Sequence, residues 1–118
     1  SLYHGLLIHS ALLARQIKLN MQIQTSAVHF KADEKLLDFI NERLHKLEIF
    51  YDRIIGAQVF LKLENHGQVK DKVAEISINV PGEKLFAKSI DRSFEAAADR
   101  AVESLRRSLR KYKERRGK

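Results

Sequence analysis

The chain contains no cysteine and no tryptophan, one proline, and five glycines among its 118 residues. Without cysteine there is no disulfide framework, no thiolate metal site and no thiol nucleophile. So little proline and glycine argues against a loop-rich or low-complexity chain. No apolar run approaches the roughly eighteen residues that a membrane helix needs. The longest, near Leu6 to Leu13, is interrupted by His9 and Ser10 and preceded by no Lys or Arg, so it does not read as a secretory signal either. A cytoplasmic protein is expected. What is present is 44% hydrophobic and 31% charged residues, which suits one globular domain and excludes wholesale disorder.

The formal net charge is +7, and its placement is informative. Between Arg106 and Lys118 stand eight basic residues (Arg106, Arg107, Arg110, Lys111, Lys113, Arg115, Arg116, Lys118) against a single acid, Glu114. This segment carries the whole net charge, and the rest of the chain balances. A neutral domain ending in a concentrated cationic element has the electrostatic footprint of a polyanion partner.

Periodicity divides the chain. Residues 1–20 are Leu-rich and contain no acid, and they read as an N-terminal extension ahead of a natural start at Met21. Leu6, Leu7, Ala11, Leu12, Ala14 and Leu19 form a helical stripe that would pack on a neighbouring molecule or a groove of its own domain, and self-association through it is expected. Met21, Ile23 and Thr25 suggest a short strand. Asp33 then occupies an N-cap position ahead of Leu36, Leu37, Ile40, Leu44, Leu47 and Tyr51, the apolar stripe of a helix running to about Phe50. Alternation at Ile55, Ala57, Val59, Leu61 and Leu63 predicts a second strand, with a turn at Asn65-His66-Gly67. Ala74, Ile76, Ile78 and Val80 predict a third, closed by Pro81-Gly82, and Leu85 and Ala87 a fourth. A last helix beginning near Asp91 or Ser93 carries the stripe Phe94, Ala98, Ala101, Leu105, Leu109, Tyr112.

This order predicts an α+β two-layer sandwich, β-α-β-β-β-α. A right-handed crossover joins the first two strands in parallel, tight turns add the others, and both helices cover one face of a four-stranded mixed sheet. The other face is expected to carry Lys62, Lys72, Glu75, Ser77, Lys84, Phe86 and Lys88.

At the final helix, the stretch from Ser93 to Glu114 resembles the closing helix of the ribosome hibernation factor family. Its members are also called ribosome-associated inhibitors, ribosomal subunit interface proteins or sigma-54 modulation proteins. Arg43-Leu44-His45-Lys46-Leu47 on the first helix is similar to the family's basic-Leu-x-Lys-Leu pattern, and the element order agrees. The resemblance covers residues 21–114, a ribosome-binding α/β domain, with 115–118 as a basic tail. It implies a fold related to double-stranded RNA-binding domains. It also implies binding to the small ribosomal subunit and its rRNA in the mRNA/tRNA channel, which stops translation. Position by position, Arg43, Lys46, Arg107 and Lys111 match the family's basic contact positions. The helical face and its approach add Lys88, Arg92, Arg100, Arg106 and Arg110. Two departures stand out. Glu95 replaces a tyrosine common in the family, with Phe94 one place earlier, and the chain resembles a short form, for which the dimerisation domain of long-form members is not expected.

Catalysis is not expected. His4, His9, His29, His45 and His66 show no metal-ligand spacing, and no P-loop, GxGxxG or GxSxG occurs. Asp33, Glu34, Asp38 and Glu42 suit a helix N-terminus without any acid–base role. No metal, cofactor, small-molecule substrate or membrane partner is expected, the last because the basic helix has a partly alanine apolar face and no Trp. Two other readings stay open: a general double-stranded RNA-binding module, and a protein-interaction modulator of sigma-54 transcription.

Overall fold

The computed structural model describes residues 21–66 and 69–116. The expected N-terminal extension and its self-association lie outside the described residues. Six elements follow in order: β1 (Gln22–Val28), α1 (Glu34–Phe50), β2 (Gly56–His66), β3 (Val69–Val80), β4 (Glu83–Asp91) and α2 (Phe94–Arg115). The strands lie in the order β1-β2-β3-β4, with β1 parallel to β2 and the remaining pairs antiparallel. This is the expected β-α-β-β-β-α mixed sheet. The long helical crossover lets β2 return parallel to β1, whereas the short connections after β2 and β3 return the chain antiparallel.

Local chemistry sets the helix starts. The Asp33 carboxylate accepts the Leu36 N–H at 2.8 Å, and the Ser93 hydroxyl accepts the Ala96 N–H at 3.0 Å, each satisfying an orphan donor of a first turn. Both helices contribute to one core on the sheet face that carries Ala57, Val59, Leu61, Ala74, Ile76, Ile78, Leu85 and Ala87. Leu36, Ile40, Leu44 and Leu47 enter it from α1. From α2 come Ala97, Ala98, Ala101, Val102, Leu105, Leu109 and Tyr112. The alanines lie in the first two turns, where their small side chains let the helix backbone approach the sheet closely.

The C-terminal half of α2 is pinned by Tyr112, whose hydroxyl donates to the Pro81 carbonyl at 2.6 Å. Its ring meets Tyr51 edge-on at 5.6 Å. Burial, with Tyr51 adding to it, pushes the Tyr112 hydroxyl above its usual pKa range. The accepting turn is the two-residue Pro81-Gly82 connection between paired Val80 and Glu83, where Gly82 has φ +83°. Proline at the second turn position and a residue of positive φ at the third is the combination a type II turn requires.

Three expectations are corrected. Ile55 is not a core residue of β2. It is 64% exposed, while Ile54 is buried at 3%, because β2 begins only at Gly56 and the alternation starts with Ala57. Asn65 and His66 belong to the strand, since β2 and β3 pair as far as His66 and Val69. Lys72 shares the register of Ala74 and Ile76, and therefore the helix side of the sheet, because side chains alternate with a period of two. The open face carries Lys62, Glu75, Ser77, Lys84, Phe86 and Lys88 as expected. It also carries Phe60 and Ile90, which are 44% and 46% exposed.

Leu105 is fully buried at the centre of the α2 stripe. Replacing Leu105→Ala should destabilise the fold by about 2–5 kcal/mol, read as a lower denaturation midpoint with an unchanged slope.

Candidate nucleic-acid interface

The two helices run in the same general direction across the sheet. Arg43 of α1 meets Asp99 of α2 at one end, and Phe50 meets Lys113 at the other, nearer both C-termini. At about 100° per residue, Asp99, Arg106, Arg110 and Lys113 fall within about 60° of one another on α2. That stripe borders α1. On α1, Phe39, Arg43, Lys46 and Phe50 form the facing edge by the same arithmetic. The result is an open seam on the helical layer, walled by two phenylalanines and lined by cations from both helices.

Inside the seam several groups are already engaged. The Arg43 Nε donates to Asp99 Oδ1 at 2.7 Å, its Nη1 reaches Glu42 at 3.3 Å, and its guanidinium lies 4.3 Å over the Phe39 ring. With its side chain only 28% exposed, Arg43 is a strut between the helices as well as a surface cation. Lys113 sits 4.3 Å over the Phe50 ring and donates to the Phe50 carbonyl at 3.2 Å. The last turn of α1 holds no basic residue of its own. Lys113 therefore supplies, from the other helix, the cation that a helix C-terminus favours.

The residues expected to bind RNA divide into groups. Lys46, Arg107, Arg110 and Lys111 are exposed and make no ion pair among the described residues. Arg107 and Arg110 stand on the crest of α2, Lys46 borders the seam, and Lys111 faces the β4 side. Arg106 pairs with Glu103 at 3.5 Å, and Arg100 with Asp91 at 3.4 Å, both in largely exposed settings. Such pairs contribute only about 0–1 kcal/mol, so they can exchange for phosphate. Arg92 is exposed at the entry to α2. Lys88 is not brought to this surface: it lies on the open face of the sheet, 3.8 Å from Glu75, with the sheet between it and the helices.

Sequence reasoning missed Lys113, Phe39 and Phe50 as parts of the seam, and Asp99 as its internal counter-charge. The seven-residue spacing from Arg106 to Lys113 places them on one stripe and was a usable signal. No sequence signal paired Lys113 with the end of the other helix.

Asp91 closes the β4–α2 corner. The Arg92 backbone N–H donates to it at 2.7 Å and, with the Arg100 guanidinium helping against partial desolvation, holds its carboxyl below the usual carboxylate range.

Comparison with known proteins adds to this geometry. A family model described as "Sigma 54 modulation protein / S30EA ribosomal protein" matches residues 23–117. The chain belongs to this family. A relative from Pseudomonas putida, named ribosome hibernation promoting factor, is 32% identical over 94 residues, covering 80% of this chain and 88% of its own. Among solved structures, a ribosomal subunit interface protein from Coxiella burnetii superposes with a TM-score of 0.71 at 19% identity, covering 79% of this chain and 98% of its own. The N-terminal domain of Thermus thermophilus Protein Y gives 0.67 at 24% identity, over 78% and 97%. The fold derived from the strand and helix order is thus a family fold. The matched region contains both walls of the seam and every free cation named above.

A depressed carboxylate stabilises the fold above its unfolded-state pKa and loses that contribution as pH falls through its folded value. The Asp91→Asn variant should therefore be less stable than the parent at neutral pH. The gap should close below about pH 4, as followed by thermal melts across pH.

Proposed function

We propose that this chain is a ribosome-binding translation inhibitor, a hibernation factor that docks through its helical layer on rRNA of the small subunit and occupies the mRNA/tRNA channel. The observation that carries the reading is the set of unpaired cations, Lys46, Arg107, Arg110 and Lys111, held by two packed helices on a family fold. The name of the Pseudomonas putida relative supports the hibernation role. Cations on a rigid helix, spaced by its turns, suit phosphates of a folded RNA. Arginine can engage a phosphate through two N–H groups, and such contacts read shape and charge rather than base sequence.

The reading assigns binding without catalysis, in the cytoplasm, with no cofactor or small-molecule substrate. Among the described residues, no group of three or more His, Asp or Glu is placed to hold a metal ion, and no helix is long and apolar enough to cross a membrane. Lys88, being on the far face of the sheet, is assigned a peripheral place in this reading, while Arg92, Arg100 and Arg106 flank the free cations. Arg43 acts first by fixing the separation of the helices.

Co-sedimentation with purified bacterial ribosomal subunits tests the proposal. The wild-type chain should travel with the small subunit and inhibit translation in vitro, and Arg107→Glu/Lys111→Glu should remain at the top of the gradient. Affinity should fall with salt by a log–log slope of roughly 0.7–0.9 per phosphate neutralised, and removing one free cation should reduce that slope by about as much. Equal binding of free duplex RNA would favour the general RNA-binding reading. Salt-insensitive binding to a transcription factor without RNA would favour the sigma-54 reading.

A further inference from the structure

Glu48 is the one buried charged residue among those described, at 1% exposure. It lies on the edge of α1 away from the seam, so RNA binding makes no use of it. Its Oε2 accepts the Met21 backbone nitrogen at 2.7 Å, and its Oε1 lies 3.3 Å from His45 Nδ1. No lysine or arginine pairs with it among the described residues, and the His45 side chain is 37% exposed. A carboxylate removed from water ordinarily needs a cation and several donors. A peptide N–H supplies one donor and no full charge.

The donor is the nitrogen of the only methionine in the chain. Met21 is itself 6% exposed and belongs to the core, so its position is fixed by packing rather than by the carboxylate alone. A chain beginning at Met21 would carry an α-ammonium at that same nitrogen: three donors and a full positive charge, against a buried carboxylate that otherwise has only a half-exposed imidazole for company. Gln22 is a bulky second residue, which favours retention of an initiator methionine. A chain starting there keeps every core residue among those described, Met21 included.

We propose that Glu48 is a receptor for a free amino terminus at Met21, so that a form of the protein starting there locks its α-ammonium onto the buried carboxylate. The ligand class is a primary ammonium on the chain itself, and the same chemistry results whether the form arises by initiation at Met21 or by cleavage before it. The pairing joins the start of β1 to the last turns of α1. It stabilises the end of the domain remote from the Arg43–Asp99 contact, and it is independent of the RNA-binding reading.

The test is a cycle on the chain 21–118, with a free or an Nα-acetylated terminus, each combined with Glu48 or the Glu48→Gln substitution. Equilibrium denaturation should show acetylation shifting the unfolding equilibrium by about tenfold or more toward the unfolded state, with little effect of acetylation in Glu48→Gln. If Glu48→Gln does not fold, a chain with one glycine added before Met21 replaces it: displacing the ammonium by a residue should cost as much as acetylation. Acetylation without effect, or with the same effect in the Glu48→Gln variant, would overturn the proposal. So would a glycine-extended chain as stable as the unextended one.

Discussion

The close packing of α2 on β3 and β4 is the constraint on which the rest depends. One helix of 22 residues supplies a large share of the core on one side and most of the charge on the other. Its buried stripe begins with alanines and ends with Leu105, Leu109 and Tyr112, so the helix is seated closely at its start and wedged by larger side chains toward its end. The Tyr112 hydroxyl then fixes that end to the Pro81 carbonyl. Cations on the outer side are thereby held at defined heights, rising 1.5 Å per residue. A frayed basic tail of the same composition would offer the same charge with no geometry, and it would lose more conformational entropy on binding.

Holding so many cations on one layer has a cost that the structure offsets locally. Asp99, Glu103 and Glu42 lie among the arginines, and Asp91 and Glu83 receive Arg100 and Arg115 at the β4 side. Lys113 is turned inward to the end of α1, where a helix dipole and an aromatic face both attract it. Among the described residues, Lys46, Arg107, Arg110 and Lys111 are exposed and make no ion pair. The helical layer therefore compensates part of its positive charge internally and leaves these cations open to solvent.

Much of this was legible in the sequence, for physical reasons that differ by element. The Asp33 and Ser93 caps, the helix stripes and the β3 alternation are local patterns, and local chemistry produced them. Ile55 was misread because apolarity continues through Ile54-Ile55 and gives no sign of where the strand begins; the strand's hydrogen bonding decides that. Lys72 was misplaced because a charged residue near a strand end sits on the core register without being buried, so polarity misreports its face. The seam was legible only in part. Arg106 and Arg110 follow from the helical face and Lys46 from the family resemblance, but the Arg43–Asp99 and Lys113–Phe50 contacts join residues far apart in the chain, and only the packing of the two helices brings them together.

The Arg43–Asp99 contact also explains why matching a residue to a basic position leaves its role undefined. Arg43 makes a 2.7 Å charge-assisted bond, has Glu42 on its other side and stacks on Phe39, all at an intermediate exposure. To leave Asp99 for an RNA phosphate it would forfeit the stacking and release a carboxylate beside that same phosphate, which like charge disfavours. Arg107, exposed and unpaired, gives up nothing when a phosphate arrives. On this argument the two arginines differ in place on one surface: Arg43 ties α1 to α2 through Asp99, whereas Arg107 has no internal partner to give up among the described residues and is the better candidate for the phosphate contact of the proposed function.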